Sequence, residues 1–150
     1  MFVMLLIPGT SKYKQYFALL GTFGATAALA YPLFDPYPFP HVTILSFIIG
    51  HVALLGNALL YLFKNYEASL LNLKNVTVIT FSLNALIGVV NLVVGGDYGF
   101  LNKPPLVGNH GLLANYLIVS SVLVAAISLT AKVLEVFLQQ RAEKMIQEKA

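Results

Sequence analysis

A few polar side chains sit inside otherwise oily stretches of this 150-residue sequence, and any chemistry must start from them. His51 falls near the middle of the apolar run His41–Phe63. A neutral imidazole has one donor and one acceptor, so His51 could act as a general base or hold a lipid headgroup. It could equally be a structural histidine bonded across helices to an asparagine or a carbonyl. Ionisable residues inside a membrane are rare and functional by default, which keeps the chemical reading open. Asn57, Asn84 and Asn91 add amide donors and acceptors. Each could be interhelical glue, worth roughly 0.6 kcal/mol per bond. Asn91 stands apart, because Asp97, Tyr98, Lys103 and His110 follow it in the next loop. There Lys103 could pair with a phosphate, with Asn91 and Tyr98 against the same headgroup, while Asp97 or His110 exchanges protons. The competing reading is a solvated loop whose charges neutralise one another.

Several other chemistries are excluded by residue type. There is no cysteine, hence no disulfide, thiolate nucleophile or Cys-based metal site. No paired carboxylates, nucleophile elbow, P-loop, dinucleotide fingerprint or metal-ligand spacing appears, so neither a metal nor a cofactor is expected. Ser46, Thr80, Ser121 and Ser128 lie within apolar runs but would be nucleophiles only beside a base, which periodicity cannot show. Lys132 and Glu135, three apart, suit a helix-surface pair with the lysine stem snorkelling.

The elements that must position these residues are membrane helices. The chain is 58% hydrophobic and only 10% charged, with a mean hydropathy of +0.79. A soluble domain typically carries about 25% charged residues. The composition therefore implies an integral membrane protein, and the net charge of +3 sits near the expected membrane boundaries rather than forming a nucleic-acid patch. Four spans are predicted, at about 15–30, 41–63, 76–95 and 111–138, within a single transmembrane domain over 1–150. A short apolar stub, Met1–Ile7, precedes them, and a polar tail, 139–150, follows.

The third span is the most informative. Val76–Gly95 carries no charge and is long enough to cross a core of about 30 Å. Thr77, Thr80, Asn84, Gly88, Asn91 and Gly95 recur at steps of three and four, so as a helix they share one side. An amide facing lipid has no water to bond, so this side is expected to face other helices or a wet cavity. Ser46, Gly50, Ala53 and Asn57 share a face of the second span, with His51 a third of a turn round. Ala114, Ser121, Ala125, Ser128 and Lys132 share a line on the fourth. Gly21, Ala25 and Ala28 form a small-residue packing face on the first. Two segments cannot be continuous helix: Tyr31–Pro40, with four prolines, and Gly96–His110, with Pro104-Pro105.

Loop charges orient the chain. Lys12 and Lys14, then Lys64 and Lys74, then Lys132, Arg141, Lys144 and Lys149 alternate with loops holding no basic residue or only Lys103. By the positive-inside rule both termini are cytoplasmic, in the cell membrane, with the two proline-rich loops outside.

The order of motifs resembles a known family. FPH at Phe39–His41, the run SFIIGH ending at His51, and Asn91 followed by GGDYGFLNKPP are similar to the YwaF-type bacterial integral membrane proteins. Asn91, Gly95, Tyr98, Leu101, Lys103 and Pro104 stand where that pattern has them, with Asp97 in place of its usual Asn. The resemblance covers about Gln15–Leu138. It implies further N-terminal helices, of which Met1–Ile7 looks like the end, and a Trp-Pro start to the last helix where this chain has GNHGLLANY. A related eukaryotic branch is a phospholipid acyltransferase with a cysteine nucleophile, which no residue here matches. The resemblance thus implies lipid handling without transferring a nucleophile.

The expectation is an all-α polytopic integral membrane helix bundle with a polar seam built from Ser46, Gly50, Asn57, Thr80, Asn84 and Gly88. Three roles fit it. One is a lipid-directed enzyme for phospholipid acyl transfer or hydrolysis, with His51 as base and Asn91, Asp97 and Lys103 at the headgroup. Another is a non-catalytic subunit beside other membrane subunits or copies of itself. The third is a small-solute carrier or channel, disfavoured by the scarcity of intramembrane charge and the absence of a repeat.

Overall fold

A computed structural model describes residues 9–34, 36–105 and 107–147, so the expected stub Met1–Ile7 lies outside the described residues. The described chain is all-helical. It contains α1 (Lys12–Ala30), α2 (Val42–Asn65), α3 (Leu73–Val94) and α4 (Leu112–Gln147), with 3-10 turns at Ala68–Leu70 and Tyr98–Phe100.

Local chemistry sets each helix end. Ser11 caps α1 by accepting the Lys14 N–H at 3.2 Å, and Pro32 follows shortly after its end at Ala30. His41 caps α2 through Nδ1, which accepts the Thr43 N–H at 3.3 Å. Asn72 caps α3, its Oδ1 taking the Asn75 N–H at 2.8 Å. Gly95 ends α3 with φ 66°, the left-handed turn that only glycine adopts without cost. The final helix runs to Gln147, so most of the expected polar tail continues α4 rather than leaving it.

Three of these helices are long and apolar enough to cross a membrane: α2, α3 and α4, each with an 18-residue stretch whose mean hydropathy is 1.9, 2.0 and 2.2 respectively. At about 1.5 Å per residue each exceeds a hydrocarbon core of about 30 Å. α1 falls outside this group. Its first turn spends positions on Lys12, Lys14 and Gln15, leaving a shorter uncharged stretch.

The chain divides into two compact units, residues 1–71 with 130–150, and residues 72–129. In the first, α1 packs along α2. Tyr16, Ala18, Leu19 and Ala25 of α1 and Ala58 and Leu62 of α2 are buried. Gly21 and Ala25 of the small-residue face are buried, whereas Gly24 is exposed. At the far end of α2, Phe63 meets Phe137 of α4 at 6.0 Å between ring centres. Lys132 and Glu135 pair at 3.7 Å on the α4 surface. In the second unit α3 runs beside the first half of α4. Asn84 Nδ2 donates to Ser120 Oγ at 2.9 Å, and the Tyr116 hydroxyl donates to the Phe81 carbonyl at 3.0 Å. The Phe81 and Tyr116 rings meet edge to face at 5.6 Å.

Candidate functional site

On α3 the polar stripe is buried: Thr80, Asn84 and Asn91 are 0%, 3% and 2% exposed. Gly88 lies under Leu101, whose Cδ1 stands 4.0 Å from where a Cβ would be. Asn84 of the stripe meets Ser120 of α4; Ser120 and Asn115 are fully buried, whereas Ser121 and Ala125 are exposed. Ser120 lies roughly 100° from that line on one side and Asn115 roughly 100° on the other, so the buried face of the last helix is not the line of Ala114, Ser121 and Ala125. A period shows that a face exists, but serine and alanine on neighbouring faces leave its angle undetermined.

The α2 part of the expected seam is placed differently. Ser46 and Gly50 are exposed, and Asn57 is half-buried. Ser46 donates to the Thr43 carbonyl at 2.9 Å, and Asn57 Nδ2 donates to the Ala53 carbonyl at 2.8 Å. Hydroxyls and amides that bond back to their own helix need no second helix, so this face can stay uncovered.

Beyond α3 the chain is held by amides. Asn91 Nδ2 donates to the Tyr98 carbonyl at 2.9 Å, and Asn91 Oδ1 accepts the Tyr98 N–H at 2.8 Å. One side chain thus closes on both backbone groups of one residue, as a neighbouring strand would. The Asp97 carboxylate accepts the N–H groups of Asn102 at 2.8 Å and Lys103 at 3.2 Å. Asn102 Nδ2 reaches the Gly96 carbonyl at 2.7 Å. Asn115 donates to the Asn102 carbonyl and to Asn109 Oδ1, both at 3.1 Å, and accepts the His110 N–H at 2.9 Å. Asn102, Asn109 and Asn115 were not singled out by the sequence, because loop asparagines look alike until their partners are known.

This loop leaves few groups open to a ligand. Both Asp97 oxygens and the Asn91 amide are engaged by backbone, and His110 Nε2 donates to the Val107 carbonyl at 2.7 Å. A carbonyl only accepts, so that ring nitrogen carries a proton. Lys103 is exposed and makes no ion pair among the described residues. Tyr98 and Phe100 are exposed beside it. Phe100 holds φ 56°, a left-handed conformation costing a side-chain-bearing residue about 1 kcal/mol.

His51 belongs to the first unit. Its Nδ1 lies 2.7 Å from the Phe47 carbonyl, so Nδ1 carries the proton and a neutral ring keeps its lone pair on Nε2. The ring lies 4.2 Å from Phe47, which meets Phe34 edge to face at 5.2 Å. Tyr37 stacks on His41 at 4.3 Å nearby in sequence. No group of three His, Cys, Asp or Glu among the described residues could hold a metal ion.

The first unit has a second amide closure. Gln15, fully buried, donates Nε2 to the Glu67 carbonyl at 3.0 Å, and its Oε1 accepts the Glu67 N–H at 2.9 Å. Next to it the Tyr66 hydroxyl donates to the Ala131 carbonyl at 3.4 Å. Burial, and secondarily the Glu135 carboxylate, push the Tyr66 phenol above its ordinary range, so it remains a donor at neutral pH. An apolar cleft of about 240 Å³ lies between α1, α2 and the second half of α4, with Leu59, Leu62, Phe63 and Phe137 in its wall.

Long apolar helices with buried amides and backbone-closing loops define an all-helical membrane protein. Comparison with known proteins gives the family. The model described as the TMEM164 family matches residues 1–132, and the chain belongs to the TMEM164 family. No curated protein and no solved structure matches the chain.

Proposed function

We propose that this TMEM164 family member is a four-span protein of the cell membrane, with both ends cytoplasmic and a lipid-directed role centred on His51. The observation that carries this reading is the fixed imidazole. With Nδ1–H given to the Phe47 carbonyl, Nε2 is oriented to take a proton from a hydroxyl or to hold a headgroup donor. Lys103, exposed with Tyr98 and Phe100 after α3, supplies a cation for a lipid phosphate. Asn91, Asp97 and His110 shape that loop rather than touch the headgroup. The likeness to YwaF-type proteins supports lipid handling, and phospholipid acyl transfer or hydrolysis is the reaction class that a base at His51 would serve.

Reconstituted protein given phospholipid, lysophospholipid and an acyl donor tests the reading. His51→Ala should lower turnover about 100-fold or more, the ordinary worth of a general base. Unchanged turnover would remove His51 from the mechanism.

α1 is the proposed fourth span, supported by its uncharged stretch from Gln15 to Ala30 and its packing along α2. Because the chain lacks cysteine, single cysteines report topology cleanly. Tyr37→Cys should react with an impermeant maleimide on intact cells, and Tyr13→Cys only after permeabilisation. Equal labelling of both from one side would mean that α1 does not cross.

A second reading is a non-catalytic subunit that assembles with other membrane subunits or with its own copies. It is favoured by the engagement of Asn91, Asp97 and Asn115 with the backbone of the loop between α3 and α4, which gives them a structural task. Native mass spectrometry from mild detergent separates the two, since a lone monomer with His51-dependent turnover counts against the subunit reading.

A further inference from the structure

Three helices of the first unit meet without filling the space between them. The cleft there, of about 240 Å³, has Thr22 of α1, Leu59 and Phe63 of α2, and Thr130, Val133 and Phe137 of α4 in its wall. The wall is apolar apart from the two threonines, and Thr22 Oγ1 donates to the Ala18 carbonyl of its own helix at 2.9 Å. An apolar space of this kind stays dry and takes apolar groups. It is not sealed: Phe63, Val133 and Phe137 are 43%, 62% and 49% exposed. The cleft also shares a side of α2 with the imidazole. His51, Leu55 and Leu59 follow one another at steps of four, with Leu62 three further on. The first three are half-buried and Leu62 is buried. At about 1.5 Å per residue, the cleft wall begins about 12 Å along the helix from His51 and continues beyond Leu62.

We propose that this cleft holds the hydrocarbon tail of the lipid on which His51 acts. The assignment deepens the lipid-directed reading of His51 and rests on it. A single fatty acyl chain matches the space in chemistry and in shape. It needs no hydrogen-bond partner, which the wall does not offer, and it is long and narrow enough to run from the imidazole down one side of α2. Pockets between helices of a bundle are a usual place for such ligands. The tail is then gripped by α1, α2 and α4 together, while the polar end of the lipid stays at the level of His51. Bulk added to the cleft wall should therefore select for shorter tails.

The test uses the whole purified chain in detergent with a palmitoyl lysophospholipid that carries a diazirine at the end of its tail. After irradiation, peptide mass spectrometry should find the label on Leu59–Phe63 and Thr130–Phe137. Val133→Trp places an indole in the cleft from an exposed position, where the helix tolerates it. It should reduce labelling about tenfold and move the turnover preference from palmitoyl to octanoyl lysophospholipid. Val122→Trp, exposed on α4 outside the cleft, should do neither. His51→Ala should keep the labelling and lose the turnover. Label spread evenly over α2, α3 and α4, or undiminished in a folded Val133→Trp variant, would overturn the tail site and leave the role of His51 standing. Label confined to the cleft without His51-dependent turnover would support the tail site and overturn the catalytic reading. An unlabelled cleft in a dimer that Val133→Trp dissociates would overturn the tail site in favour of a second copy of the chain.

Discussion

Asn91→Leu is expected to lower stability by about 2 kcal/mol, seen as a fall of roughly 4–8 °C in the melting temperature of the detergent-solubilised protein. The size follows from what the amide does. It satisfies both the N–H and the carbonyl of Tyr98, at 2.8 and 2.9 Å. Leucine fills similar space but leaves both backbone groups without a partner, at about 1–3 kcal/mol each when buried. The Tyr98 side chain is 61% exposed, so water reaches part of this turn and the loss is nearer the lower bound. Asn91→Asp tests the directionality. A carboxylate still accepts the Tyr98 N–H but confronts the carbonyl with a second acceptor. Protonation restores the donor, so the folded state raises the pKa of the introduced carboxyl above its unfolded value. The destabilisation should therefore be full at neutral pH and shrink as pH falls through that raised pKa. An Asn91→Asp variant equally destabilised at pH 4.5 and 7.5 would contradict the geometry.

Gln15→Leu is the second large effect, at about 2–3 kcal/mol by the same apparent melting measurement. Gln15 is fully buried, and its amide closes on Glu67 at 3.0 and 2.9 Å. Gln15→Glu should show the same sign of pH dependence, with stability recovered as the introduced carboxyl protonates. Asn84→Leu is a useful contrast. It breaks a single bond to Ser120, and isolated polar contacts in membranes are worth roughly 0.6 kcal/mol. A loss at Asn84 equal to that at Gln15 would mean that the paired closure has no special worth.

Membrane character, helical class and the approximate extents of α2 and α3 were legible because lipid imposes long uncharged runs and asparagine stands out within them. His41 and Gly95 could be read as boundaries from the motifs around them. The role of Gln15 could not. Its partner lies 52 residues away, and nothing in either residue's neighbourhood announces the pairing. Asn91 was noticed for its nearness to Asp97 and Lys103, but proximity to charges suggested a ligand where the backbone of Tyr98 takes both amide atoms. Ser46 and Gly50 share a period with Asn57, yet small and hydroxylated residues satisfy themselves within a helix, so their period does not require a neighbour. The tail beyond Leu138 is polar and its described residues are exposed, and because Gln, Arg, Glu, Lys and Met are good helix formers α4 continues through them to Gln147.

The two amide closures differ in when a growing chain can make them. Asn91 and Tyr98 leave the ribosome within seven residues of each other, so that closure can form while the nascent helix is still entering the bilayer. Gln15 must wait until Glu67 has been synthesised, with all of α2 already made. Gln15 is thus made 52 residues ahead of the backbone groups that close on its amide, and that closure cannot form until the linker after α2 has emerged.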